Sequence, residues 1–87
     1  MAAQYIFTKY RSDREYVTPP MSLDEALQYF SYTLERGRCY ERERGNKKIN
    51  MNPKTVPSLV KQLNNAASNA AANGNGASYS YERVAYC

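Results

Sequence analysis

Pro19-Pro20, followed after Met21 by Ser22-Leu23-Asp24-Glu25, divides this chain more sharply than any other feature. Two adjacent prolines fit neither a helix interior nor a regular ladder, so whatever precedes them must end there. Residues 22–25 form a capping box, in which the serine hydroxyl and the glutamate carboxylate can satisfy orphan backbone donors at a helix start. Asp24 and Glu25 also suit the positive end of the helix dipole. Leu23, Ala26, Leu27, Phe30 and Leu34 then recur at i, i+3, i+4, i+7 and i+11, one face of a helix. Gly37 is the expected stop, one residue past Arg36.

Other elements fall on either side. Residues 4–10 (Gln-Tyr-Ile-Phe-Thr-Lys-Tyr) have the aromatic and β-branched content of a strand, and residues 11–21 read as a polar connection. Gly45-Asn46 tolerates positive φ and suits a two-residue hairpin turn. On that reading residues 38–51 form a basic hairpin, with Arg42 opposite Ile49, Tyr40 opposite Met51 and Glu43 opposite Lys48. The rival reading carries the first helix through Gly37 to Arg44, with Gly45 as its cap. Thr55 is the expected N-cap of a second helix, with Pro57 in its first turn and Val56, Leu59, Val60, Leu63, Ala67 and Ala70 on its buried stripe. Gly74-Asn75-Gly76 ends that helix. Residues 77–86 alternate as a strand, with Tyr79, Tyr81, Arg83 and Ala85 on one side.

The 87 residues make one small domain that buries about 60–65% of its unfolded surface, so its core is thin. The expected class is α+β in the order β-α-β-β-α-β, a ferredoxin-like antiparallel sheet with two helices on one face and the other face open. Nine tyrosines and no tryptophan supply rings that pack on one side and present a hydroxyl on the other.

Charge is unevenly spread. Residues 35–54 hold seven basic residues, Arg36, Arg38, Arg42, Arg44, Lys47, Lys48 and Lys54, against three acids, Glu35, Glu41 and Glu43. The five remaining bases and five remaining acids cancel, so the whole net charge of +4 sits in that stretch. A localised basic patch implies a polyanion or an acidic protein face as partner. Arg11 and Arg14 extend the patch less convincingly, being neighbours of Asp13 and Glu15.

The composition argues against catalysis. There is no histidine, and so neither the commonest general base nor the commonest metal ligand. Cys39 and Cys87 match no metal or redox spacing. The glycines follow a helix instead of leading into one, the wrong polarity for a phosphate loop. We therefore expect no enzyme, no cofactor and no metal. With no signal peptide or membrane-length apolar run, a reducing cytoplasmic setting with free thiols is expected.

The element order is similar to that of the RNA-recognition-motif family. Tyr5-Ile6-Phe7-Thr8-Lys9 offers the aromatics of that family's first-strand motif without its Asn-Leu ending. Lys47-Lys48-Ile49-Asn50-Met51 offers the bases of the other motif without its aromatics. The resemblance implies base stacking on the open sheet face, with Tyr40, Tyr79 and Tyr81 in place of the missing rings. In short length and Tyr/Asn-rich style the chain also resembles small phage-encoded accessory proteins. That resemblance implies an inhibitor of a host or defence enzyme, or a nucleic-acid binder beside one, in a host cytoplasm. The expected partner is RNA or another single strand, held by residues 36–54 with Tyr79 and Tyr81. Docking on an acidic surface of a host enzyme is the alternative, and an exposed sheet face also allows a homodimer.

Overall fold

In a computed structural model, residues 3–44, 47–71 and 77–84 are described, with Arg42, Glu43, Arg44 and Ala71 described in backbone only. Strand β1 (Tyr5–Arg11) turns at Ser12-Asp13 into β2 (Arg14–Val17). Helices α1 (Leu23–Tyr29), α2 (Ser31–Arg44) and α3 (Val56–Ala71) follow, and β3 (Ser78–Arg83) returns to the sheet. The sheet is antiparallel in the order β2-β1-β3. The fold is a small α+β domain, but the order is β-β-α-α-α-β, not the ferredoxin-like order expected.

Three local causes produce the difference. The first is a hairpin where a polar connection was expected. Arg11 pairs with Arg14 across Ser12-Asp13, and all four residues of β2 are exposed, so this edge strand carries no hydrophobic alternation to betray it. The prolines do not end the pairing entirely. Thr18 donates its N–H to the Phe7 carbonyl (2.9 Å), while its hydroxyl accepts from the Phe7 N–H (3.0 Å). Met21 and Tyr5 then exchange two backbone bonds beyond Pro20. A hydroxyl thus supplies a ladder bond beside the proline pair.

The second cause is Gly37. The capping box at Ser22 forms as expected, with both reciprocal bonds present. The helix pauses at Phe30 and resumes, with the Leu34 N–H still donating to the Phe30 carbonyl (3.0 Å). It then runs straight through Gly37 to Arg44, as in the rival reading. Gly37 is buried, and a Cβ there would lie 2.7 Å from the Ala66 Cα and overlap the Ala66 Cβ. The glycine lets α2 and α3 touch, which offsets its poor helix propensity of about 1 kcal/mol.

The third cause is that residues 47–50 run as a strap, with side chains in place of a partner strand. The Lys47 N–H donates to Asn69 Oδ1 (2.9 Å), and Asn69 Nδ2 donates to the Lys47 carbonyl (2.9 Å) and the Gly37 carbonyl (3.0 Å). The Ile49 N–H donates to Glu41 (3.2 Å) and the Asn50 N–H to Gln62 (2.9 Å). The basic hairpin at 38–51 is therefore not formed: its first limb is helix, and its second has backbone groups satisfied from α2 and α3. The turn expected at Gly45-Asn46 lies outside the described residues, as do Gly74-Asn75-Gly76 and Cys87.

Thr55 caps α3, accepting from the Ser58 N–H (3.2 Å). Its Val56, Leu59, Val60, Leu63, Ala66 and Ala67 are buried, and pack with Phe7, Phe30, Leu34 and Tyr79 into one core between helices and sheet. Asn64 clamps the outer edge of β3, accepting from the Tyr79 N–H (2.7 Å) and donating to the Tyr79 carbonyl (3.1 Å). The alanine- and asparagine-rich run is thus a packing surface set with backbone clamps. No helix among the described residues is long and apolar enough to cross a membrane.

Candidate functional site

The strand period places the chemistry. Tyr5, Phe7 and Lys9 of β1 face the helices together with Arg83, Tyr81 and Tyr79 of β3, to which they are paired. Tyr16, opposite Lys9, shares that side. The other sheet face carries Ile6, Thr8, Tyr10, Glu15, Val17, Ser78, Ser80 and Glu82 at its paired positions, two acids and no base. The cations of the sheet therefore lie on the helix side, beyond the end of the packed core.

There they meet α2. Tyr32, Arg36 and Tyr40 stand four residues apart and form one stripe on that helix. Together with Lys9, Arg11 and Tyr79 they line a cleft of ≈ 320 Å³, floored by Gly37, Ala66, Ala67 and Ala70. Arg36 Nη2 donates to the Tyr40 hydroxyl (2.9 Å), and its guanidinium carbon lies 5.7 Å from the Tyr32 ring centroid and 5.8 Å from that of Tyr40. Lys9 Nζ sits 5.8 Å from the Tyr79 ring centroid. These are cation–π distances, and they hold the positive heads toward aromatic faces.

The cluster forms no ion pair among the described residues, and Glu35 lines a neighbouring hollow with Tyr32, Arg36 and Tyr40. Among the described residues no carboxylate lies within 4 Å of Lys9, Arg11 or Arg36; the ion pair found there joins Arg14 and Asp13 at 3.9 Å on the surface. Lys9 feels the consequence. Burial, then the charge of Arg11, and more weakly that of Arg36, pull its pKa below the ordinary 10.5, with Tyr16 acting the other way. Burial pushes the Tyr79 phenol up, against the opposing influence of Thr33 and Arg11. Three cations beside aromatic rings, with no carboxylate on the cleft's described lining, are chemically suited to an anion that carries a flat apolar group.

The residues singled out in the sequence are divided by the fold. Arg36 and Tyr40 enter the cleft. Tyr79 forms its wall, but is only 7% exposed and packs edge-on against Phe30 at 6.0 Å, so it is a core ring and not an open stacking platform. Tyr81 packs edge-on against Tyr5 at 6.1 Å, outside the cleft. Neither lies on the other sheet face, where the resemblance to RNA-recognition motifs had put the stackers. Tyr40 is on a helix, not a sheet. Arg38 and Lys48 line a separate depression with Lys61, Asn50 and Met51. Lys54 borders a hollow beside Tyr5 and Ser22, and Lys47 is exposed on the strap. The side chains of Arg42 and Arg44 lie outside the described residues.

Lys9, Tyr32, Tyr16 and Tyr29 belong to the site region and were not singled out, and Arg11 was given little weight. The signal for Lys9 and Arg11 was their alternation with Phe7 on one strand. For Tyr32 it was the Tyr-x3-Arg-x3-Tyr spacing, visible once α2 is read through Gly37. Among the described residues no group of three or more Cys, Asp or Glu is placed to hold a metal ion. No family model, curated protein or solved structure was found to match the chain.

Proposed function

We propose that this protein binds single-stranded nucleic acid, RNA foremost, in the cleft of Lys9, Arg11 and Arg36. The observation that carries the reading is the convergence of those three cations among tyrosine rings, with no carboxylate on the cleft's described lining and none described within 4 Å of them. Phosphates neutralise the cations and release counterions, while unpaired bases stack on the rings. Arg36 has donors beyond the one it gives to Tyr40, and its planar fork suits a phosphate. The second basic cluster of Arg38, Lys48 and Lys61 adds sequence-independent attraction along the same molecule. On this reading the protein is a non-catalytic binding module working in a cytoplasm.

The test is fluorescence anisotropy of a labelled single-stranded RNA and of a matched duplex DNA, at ~50 and ~200 mM salt. The single strand binds more tightly, weakens steeply with salt, and is lost in the double variant R11E/R36E, whose side chains are exposed and whose folding is checked by circular dichroism. Absence of RNA binding at low salt, or binding that survives R11E/R36E, overturns the reading. Docking on an acidic protein surface is then the alternative that the same cations support.

A further inference from the structure

Beside the cleft lies a second hollow of ≈ 310 Å³, lined by Tyr16, Tyr29 and Phe30. The two are not independent. Lys9, Arg11, Thr33 and Tyr79 line both, so the cations of β1 stand on the ridge between them. Tyr32 and Tyr40 flank one side of that ridge, while Tyr16 and Tyr29 flank the other. Tyr16, Tyr29 and Tyr32 are 47%, 58% and 68% exposed, far more than core packing requires of a tyrosine.

We infer that the two hollows form one site for a single phosphodiester link with a base on each side of it. This rests on the cleft being a nucleic-acid site and adds the ligand's size and polarity. The lining runs aromatic, cationic, aromatic, the sequence of a base, a phosphate and a base along a strand. Each hollow sits at the low end of the ~300–1,000 Å³ range of small-ligand pockets, room for one flat ring system. The floor explains why space is left there. Gly37, Ala66, Ala67 and Ala70 lie beneath the first hollow, and β2 is a short strand that leaves Tyr16 at the rim of the second. The hydroxyl of Thr33, on the ridge, offers a further polar contact to the phosphate. A duplex presents its phosphates but not its base faces, so it reaches the ridge and fills neither hollow. An acidic peptide side chain likewise has no use for two ring-lined hollows.

The experiment compares the full chain with two paired variants, Y16A/Y29A and Y32A/Y40A, each checked for folding by circular dichroism. Affinity is measured for a short single-stranded RNA, for the same strand carrying one abasic position, and for inorganic polyphosphate. Each tyrosine pair removed weakens the RNA by about tenfold without changing the salt slope, because stacking releases no counterions. The abasic strand binds the wild type about as poorly as the normal strand binds either variant. Polyphosphate is indifferent to both pairs. If Y32A/Y40A weakens RNA binding while Y16A/Y29A leaves it intact, the two-hollow inference is wrong and the nucleic-acid reading stands. If polyphosphate binds as tightly as RNA and neither pair matters, the inference also fails, and the cleft is a plain anion site. If R11E/R36E leaves RNA binding unchanged, the nucleic-acid reading itself falls.

Discussion

Helix α2 separates two positive clusters, and they are built differently. On one side Arg36 joins Lys9 and Arg11 from a strand far earlier in the chain, among tyrosines. On the other, Arg38 joins Lys48 and Lys61 with no ring among the described lining residues. Arg36 and Arg38 are two residues apart, so the helical turn alone sends them to different surfaces. The first cluster offers charge with stacking surface; the second offers charge to open solvent. Linear charge density located a stretch of chain, and of its side chains singled out in the sequence the candidate cleft takes, among the described residues, Arg36 and Tyr40.

Charge reversal tests that contrast with the largest expected effect. R11E/R36E lowers single-strand affinity by about a hundredfold, while R38E/K61E lowers it about threefold or less and mainly shallows the salt slope. Equal losses from the two double variants, measured by anisotropy, would abolish the distinction.

Asn69→Leu dissolves the second cluster while sparing the first. It leaves the backbone of Lys47 and the Gly37 carbonyl without their amide partner, at a cost of about 2–3 kcal/mol seen in the denaturant midpoint. Amide exchange at residues 47–50 speeds up, yet RNA binding persists below the melting transition. Gly37→Ala strikes where the first cluster meets the core. The added methyl meets Ala66, costs about 1–3 kcal/mol as overpacking, and is only partly offset by better helix propensity. Because Gly37 and Ala66 also floor the cleft, RNA affinity falls along with stability.

pH separates the clusters more gently. The folded state lowers the Lys9 pKa, so its charged form is disfavoured there; stability contributed by this group therefore rises as pH climbs from the folded pKa toward 10.5. A bound phosphate reverses the preference, so affinity falls as pH passes the lowered pKa, earlier than an ordinary lysine would dictate. Lys9→Arg stays charged and removes that early fall in a binding titration.

Smallest is Ser22→Ala, which costs about 1 kcal/mol of stability through the lost cap and leaves binding unchanged. The serine's bonds hold the Glu25 pKa down, so the contribution of Glu25 is present above its unfolded pKa and is lost as pH falls through the folded one. Alanine keeps the backbone N–H that is the larger cause, so most of this pH dependence survives in the variant.

Much of the fold could be read from local chemistry. The capping box, the Thr55 cap with Pro57, the stripe on α3 and the alternation of β3 are decided by neighbouring residues, and they stand where expected. What escaped depends on distant partners. Gly37 looks like a helix stop until Ala66 lies against it. Residues 47–51 alternate like a strand, but Asn69, Glu41 and Gln62 supply the bonds that a strand partner would. Ser12-Asp13 makes its turn without a glycine or asparagine to announce it. The site was half visible for the same reason. Arg36 and Tyr40 lie in the charged stretch, whereas Lys9 and Arg11 become relevant only when β1 is laid beside α2.

The most direct test of the cleft is a backbone-amide NMR titration of the whole chain with a short single-stranded RNA. We predict that the largest shifts gather at Lys9, Arg11, Tyr16, Tyr29, Thr33 and Arg36, with Arg38, Lys48 and Lys61 little changed. Shifts centred on the second cluster, or on the face of Tyr10, Val17 and Glu82, would contradict the account.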